Sequence, residues 1–276
     1  MDERTLRIAR QHALTSRLLG VDFLPVAGRI SVADGGSVAE PPEPSPSVPA
    51  RARAVEVLVP EGRSVRAPLS PAPLGVESSK AALLAALREK HDRECPHCTH
   101  ATGHTQTVFS DGDPESPLMF IGEAPGADED REGIPFVGRS GQLLNQMITA
   151  MGLARDGVGQ SGVYIANVLK ARPPNNDTPT REEAAKCGPY LLEQVRIVAP
   201  RAIVTLGNPA THFMLETTQG ITSLRGRWQD FRGIPLMPTF HPAYLLRNYT
   251  PENRKLVWSD LKAVMTKLAE SGLSQS

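Results

Sequence analysis

Apolar and polar positions change their rhythm several times along this chain. Residues 1–25 place Leu6, Ile8, Ala9, Ala13, Leu14 and Leu18 at roughly helical spacing, which predicts an amphipathic helix or a frayed tail. The stretch from 31 to 80 holds nine of the 25 prolines and has no apolar period. Such a segment cannot bury enough apolar surface to offset the entropy of ordering, so 26–85 reads as a disordered linker. From about residue 82 the pattern changes, and "AALLAALREKHDREC" (81–95), overlapping the end of that range, predicts a helix leading into a pair of cysteines. Short, wholly apolar runs then alternate with helical segments. "PLMFIGE" (117–123), "GVYIANVL" (162–169), "RAIVTLG" (201–207) and "IPLMPTFH" (234–241) read as strands. Helices are expected over 140–152, 180–198 and from Pro251 to about Leu268. Thr180 and Glu183 stand at capping-box spacing, and Asn208-Pro209 reads as an N-cap with the first helical residue.

Strands that are apolar on both faces and separated by helices imply a parallel sheet covered on each side. The expected fold is therefore a three-layer α/β/α domain over about 86–270, with four parallel strands. In such sheets ligands bind beyond the carboxyl ends of the strands. The unusual motifs of this chain all follow such ends.

The first strand runs into "GEAPGADEDREGIPFVGRSG", with glycines at 122, 126, 133, 138 and 141 and the acids Glu123, Asp128, Glu129 and Asp130. A surface loop accounts for the glycines and acids but not for the apolar "PFVG" among them, which favours a site loop. It is neither a dinucleotide fingerprint nor a phosphate-binding loop with G-K-[ST]. Gly138 to Gly141, including Ser140, precede a helix whose N-terminus could take a phosphate. Asn167 ends the second strand among apolar neighbours; a structural hydrogen bond and the reading of a ligand edge are both open. His241 precedes a proline at the end of the fourth strand, hence at a turn, as a structural or a catalytic imidazole. Arg225, Arg227, Arg232, Arg247, Arg254 and Lys255 face only Asp230 and Glu252 between 221 and 255, which suits a polyanion or an ordinary solvated surface.

Thirty basic and 30 acidic residues give zero formal charge, so nothing global points to nucleic acid. No apolar run is long enough for a membrane span, and the N-terminus lacks a secretory pattern. Three cysteines, Cys95, Cys98 and Cys187, are too few for a disulfide scaffold and suit a reducing compartment. The C-x-x-C pair at 95–98 has metal-ligand spacing. A thioredoxin-like dithiol would leave Cys187 unexplained.

Together, "GEAPGADED…PFVGRSGQLL", "NVLKARPP" and "PTFHPAYLLRN" resemble family 4 of the uracil-DNA glycosylase superfamily, the iron–sulfur type, over roughly residues 86–268. The resemblance implies cleavage of the N-glycosidic bond of a uracil flipped out of DNA, leaving an abasic site. It implies that Phe136 stacks on the base and that Asn167 bonds O4 and N3–H. His241 donates to O2, and Glu123 orients water, with Glu129 in support. Gly122 and Ser140 border the substrate, and Leu245, Leu246 or Arg247 wedges into the stack. The family's cluster uses four cysteines. Here Cys95, Cys98 and Cys187 match, and the fourth position is Ala171. The expected cofactor is a [4Fe–4S] cluster one cysteine short, with three thiolates and a water or another side chain on the fourth iron, His97, His100 and His104 being conceivable donors; zinc on three cysteines and one histidine, or an empty site, are the alternatives.

A relative that crosslinks to the abasic sugar through a histidine carries a basic insertion after the asparagine strand, and "NVLKARPPNNDTPT" has none. A catalytically inactive or redox-sensing DNA-binding module is the reading from another class. Expected partners are uracil-containing DNA and, through the N-terminal segment, a repair or replication protein. The chain is expected to be a monomer in the cytoplasm, associated with the nucleoid.

Overall fold

The computed structural model describes residues 79–273. The expectations for 1–25 and for most of the linker therefore lie outside the described residues. The linker's last residues do not: helix α1 runs Lys80–Glu94, its first turn capped by Ser79, whose hydroxyl accepts the Ala82 N–H at 3.2 Å. That cap starts the helix one residue before the stretch expected to be helical and shortens the linker from its far end.

Among the described residues the sheet has six strands: β1 (Asp111–Gly112), β2 (Leu118–Gly122), β3 (Tyr164–Asn167), β4 (Ala202–Leu206), β5 (Gln229–Phe231) and β6 (Ile234–Thr239). Their order is β1-β3-β2-β4-β6-β5. The four expected strands form its parallel centre, β3-β2-β4-β6. Two short antiparallel strands, β1 and β5, were not anticipated and lie at the edges. They are two and three residues long, too short to leave a periodic signal.

The helices after α1 are α2 (Ala127–Glu132), α3 (Arg139–Ala150), α4 (Arg181–Val198), α5 (Asn208–Leu215), α6 (Ile221–Leu224), α7 (Pro242–Arg247) and α8 (Pro251–Leu273). Side chains alternate across a strand, so the wholly buried β2 feeds two cores. Leu118 and Phe120 join Leu144 and Ile148 of α3 and Val257, Leu261 and Val264 of α8. Met119 and Ile121 join Leu191, Val195 and Val198 of α4, Met214 of α5 and Leu84 of α1. Each such side chain taken from water contributes about 1.5–3 kcal/mol, which holds the helices on both faces.

Local chemistry sets the boundaries. At α4 the Thr180 hydroxyl accepts the Glu183 N–H at 3.2 Å, and Glu183 accepts the Thr180 N–H at 2.8 Å, as the sequence spacing predicts. At α5 the prediction shifts by one residue: Gly207 (φ +85°) is the N-cap and Asn208 is already helical. The Asn208 amide oxygen instead accepts the Ile221 N–H at 2.6 Å, tying α6 to α5.

Candidate active site and thiol centre

The strand register brings the functional motifs level. Gly122 of β2 pairs with Asn167 of β3, and Leu206 of β4 pairs with Thr239 of β6. The residues that follow these carboxyl ends surround a cleft of about 770 Å³ lined by Glu123, Phe136, Ser140, Asn167, His241 and Arg247, among others. A nucleobase fits such a volume easily.

Gly122 is what lets two of these side chains meet. A Cβ there would lie 2.3 Å from Asn167 Oδ1 and 2.5 Å from Phe136 Cζ. Asn167 is 1% exposed, and its Oδ1 has no hydrogen-bond partner among the described residues. A buried acceptor left unpaired costs about 1–3 kcal/mol, which a bound donor would recover.

Phe136 sits at φ +55°, an unusual backbone for a non-glycine residue. The cost is about 1–2 kcal/mol. Arg155 holds the turn. Its guanidinium donates to the Phe136 carbonyl at 2.7 Å, to the Pro135 carbonyl, to Asn145 Oδ1 at 3.2 Å and to Asp111 at 2.5 Å. Charge-assisted bonds of this kind are worth about 1.5–3 kcal/mol each, so the clamp outweighs the strain. Arg155 lies in "GLARDG", where no local pattern marks it. On the other side, the start of α3 packs so tightly that a Cβ on Gly141 would lie 1.9 Å from the Phe136 carbonyl oxygen.

The acids separate by their partners. Glu129 is buried, and its two oxygens accept the N–H groups of Gly126 (3.0 Å), Val137 (2.9 Å) and Gly138 (2.9 Å). Its carboxylate shapes the loop behind Phe136, which fits a supporting role and not a direct one. Asp130 accepts the Thr105 and Gln106 N–H groups, and Asp128 pairs with Arg131. That leaves Glu123 facing the cleft. Burial raises its pKa, with the Thr178 hydroxyl and the Arg247 guanidinium pulling the other way.

His241 caps α7, and its Nδ1 accepts the Ala243 N–H at 3.1 Å. That bond requires an unprotonated Nδ1, so the neutral ring carries its proton on Nε2. Burial, and then the charge of Arg247, push its pKa down to about 4. The ring stands 5.7 Å from that of Phe136, tilted by 31°.

The three wedge candidates part company. Leu245 is 1% exposed within the core beside α3 and α8, so it is no candidate for entering DNA. Arg247 lines the cleft, while Leu246 is exposed at 37%.

Cys95, Cys98 and Cys187 come together in a small buried cluster with Ala171. The fourth metal-ligating group is His91, one helical turn before Cys95; the four ligand atoms lie within 4.8 Å of one another. His97, His100 and His104, the donors expected from sequence, are outside this set. His97 lies inside the C-x-x-C pair and His100 and His104 follow it, whereas His91 precedes it on α1 at i, i+4 to Cys95, a spacing that puts both on one face.

Between thiols and cleft lies Lys170, fully buried. Its ammonium donates to the Asn167 carbonyl at 2.7 Å and to Gln194 Oε1 at 2.6 Å, and stands 5.4 Å from the centre of the Phe109 ring. Burial pushes its pKa down to about 8, against an upward pull from the three thiols. Lys170 thus braces the backbone of Asn167 from behind.

The model of the uracil DNA glycosylase superfamily matches residues 109–262. A type-4 uracil-DNA glycosylase of Thermotoga maritima is 41% identical over 182 residues, spanning 65% of this chain and 92% of that protein. One from Sulfurisphaera tokodaii is 42% identical over 179 residues, 62% of this chain and 78% of that protein. A type-5 enzyme of Pyrobaculum aerophilum is 33% identical over 146 residues, 49% of this chain and 64% of that protein. A family match over more than half of the chain, joined to a parallel sheet with its cleft at the strand ends, identifies this protein as a member of the uracil DNA glycosylase superfamily.

Proposed function

We propose that this protein is a DNA-repair uracil-DNA glycosylase, which hydrolyses the bond between uracil and deoxyribose and leaves an abasic site. The observation that carries the reading is the Asn167 Oδ1, unpartnered among the described residues, beside the Phe136 ring in a cleft that admits a nucleobase. Uracil offers N3–H to that oxygen and O4 to the Asn167 amide nitrogen, while Phe136 covers the ring face. Cytosine reverses both groups, so it would leave the amide unpaired at about 1–3 kcal/mol, a 10- to 100-fold preference.

As the bond breaks, the base departs as an anion with charge on O2. His241 carries the N–H to meet it, fixed on Nε2 by the bond at Nδ1 and kept neutral by burial. Glu123 faces the cleft beside the Thr178 hydroxyl and, unlike Glu129, holds no loop N–H group among the described residues, which suits it to orient water and to stabilise the cationic sugar. Leu246, exposed and next in sequence to Arg247 of the cleft lining, is suited to fill the gap left in the base stack. The reading includes a monomer acting on chromosomal DNA in the cytoplasm. The helical spacing in residues 1–25 supports a docking segment for a repair or replication protein.

Uracil-containing oligonucleotides, single- and double-stranded, should break at the uracil after alkaline treatment. Asn167→Asp should lower the rate by about 10- to 100-fold, and His241→Ala by about 100- to 1,000-fold, both with wild-type circular dichroism. Wild-type rates from either variant would remove the role assigned to it. Tight DNA binding with no base release would point instead to the inactive binding module.

A further inference from the structure

The donor set at the thiol centre departs from the four-cysteine cluster that the family resemblance implies. The chain has three cysteines, and position 171 is an alanine buried against them. In a cubane cluster each thiolate ligates a different iron, so the ligand atoms are spread by the width of the cluster. Around one tetrahedral ion with M–S near 2.3 Å and M–N near 2.0–2.1 Å, the ligand atoms sit roughly 3.4–3.8 Å apart. Here His91 Nε2 lies 3.3 Å from Cys98 Sγ and 3.8 Å from Cys187 Sγ, and Cys98 Sγ lies 3.6 Å from Cys187 Sγ. With Cys95 included, no pair exceeds 4.8 Å.

We propose that His91, Cys95, Cys98 and Cys187 form a single-ion zinc site, with His91 as the fourth ligand in place of the cysteine missing at 171. The surroundings of His91 are those of a ligating imidazole. Asp92 Oδ1 lies 2.8 Å from Nδ1, which holds the ring proton there and turns the Nε2 lone pair to the thiols. Asp92 is itself held by the Thr107 hydroxyl at 2.8 Å. Tyr190 packs edge-on to the imidazole at 4.8 Å between ring centres, fixing its plane. The ligands come from α1, the turn after it and α4, so the ion joins the segment before residue 100 to the body of the domain.

The test is metal analysis of the full chain purified without oxygen, read independently of base release. About one zinc per chain is expected, with neither acid-labile sulfide nor visible charge-transfer absorption. His91→Ala should weaken zinc by more than roughly a hundredfold in chelator competition, since loss of an outer partner alone costs about 10- to 100-fold. Adding Ala171→Cys to His91→Ala should restore part of that affinity. If His91→Ala does not fold, His91→Cys should still hold one ion, with its cobalt(II) spectrum shifted towards four-sulfur ligation. Iron with equimolar sulfide in the wild type would overturn the single-ion site. Unchanged metal affinity in His91→Ala, or an unchanged cobalt spectrum in His91→Cys, would overturn the role of His91.

Discussion

At the scale of single residues, the cleft side chains differ in what they already bond, and this fixes how each responds to pH. Glu123 has its pKa raised by burial, while His241 is held down at about 4. The rate of base release should therefore fall with acid as Glu123 protonates, while the imidazole stays neutral until near pH 4. Single-turnover rates across the acidic range should show one limb, and Glu123→Gln should both lower the rate and flatten that limb. Stability follows the opposite group. The folded pKa of His241 lies below its ordinary 6.5, so its contribution is whole above pH 6.5 and is lost as pH falls towards 4. The loss is about 1–3 kcal/mol. His241→Gln should remove that share of the acid-induced drop in Tm. Asn167 and His241 stood out in the sequence because a polar residue ending an apolar run is locally anomalous. Lys170 and Arg155 did not, because what keeps each in place is remote in sequence: the Gln194 side chain lies 24 residues from Lys170, and the Phe136 carbonyl 19 from Arg155.

At the scale of elements, the turn that presents Phe136 is held from two sides, by Glu129 inside its own loop and by Arg155 from beyond α3. Arg155→Ala leaves the left-handed turn without its four acceptors' common donor. Urea unfolding should show a loss of about 2–4 kcal/mol. Arg155→Lys should recover little, because one ammonium cannot replace a planar fork. The long elements were legible in the sequence: apolar runs gave the four central strands, and Thr180 with Glu183 gave the start of α4. The helix α2 was hidden. Its "ADEDRE" has no apolar face, and its acids serve the loop and helix start instead.

At the scale of the whole molecule, everything assigned to base release lies within 79–273. A chain lacking residues 1–76, which keeps Ser79 as the cap of α1, should release uracil at a rate within about twofold of the full chain, because no described contact at the cleft needs that segment. A larger loss would assign the segment a part in DNA binding. Where that segment joins the body has its own consequence. Lys80, at the head of α1, pairs with Glu115 at 3.0 Å and donates to the Val198 carbonyl at 2.9 Å. Glu115 leads into β2, and Val198 into β4, so the junction lies at the amino ends of the strands, across the sheet's full length from the mouth of the cleft. A load attached at Ser79, the first described residue, would therefore pull on the molecule from the face opposite the cleft and leave the mouth unobstructed.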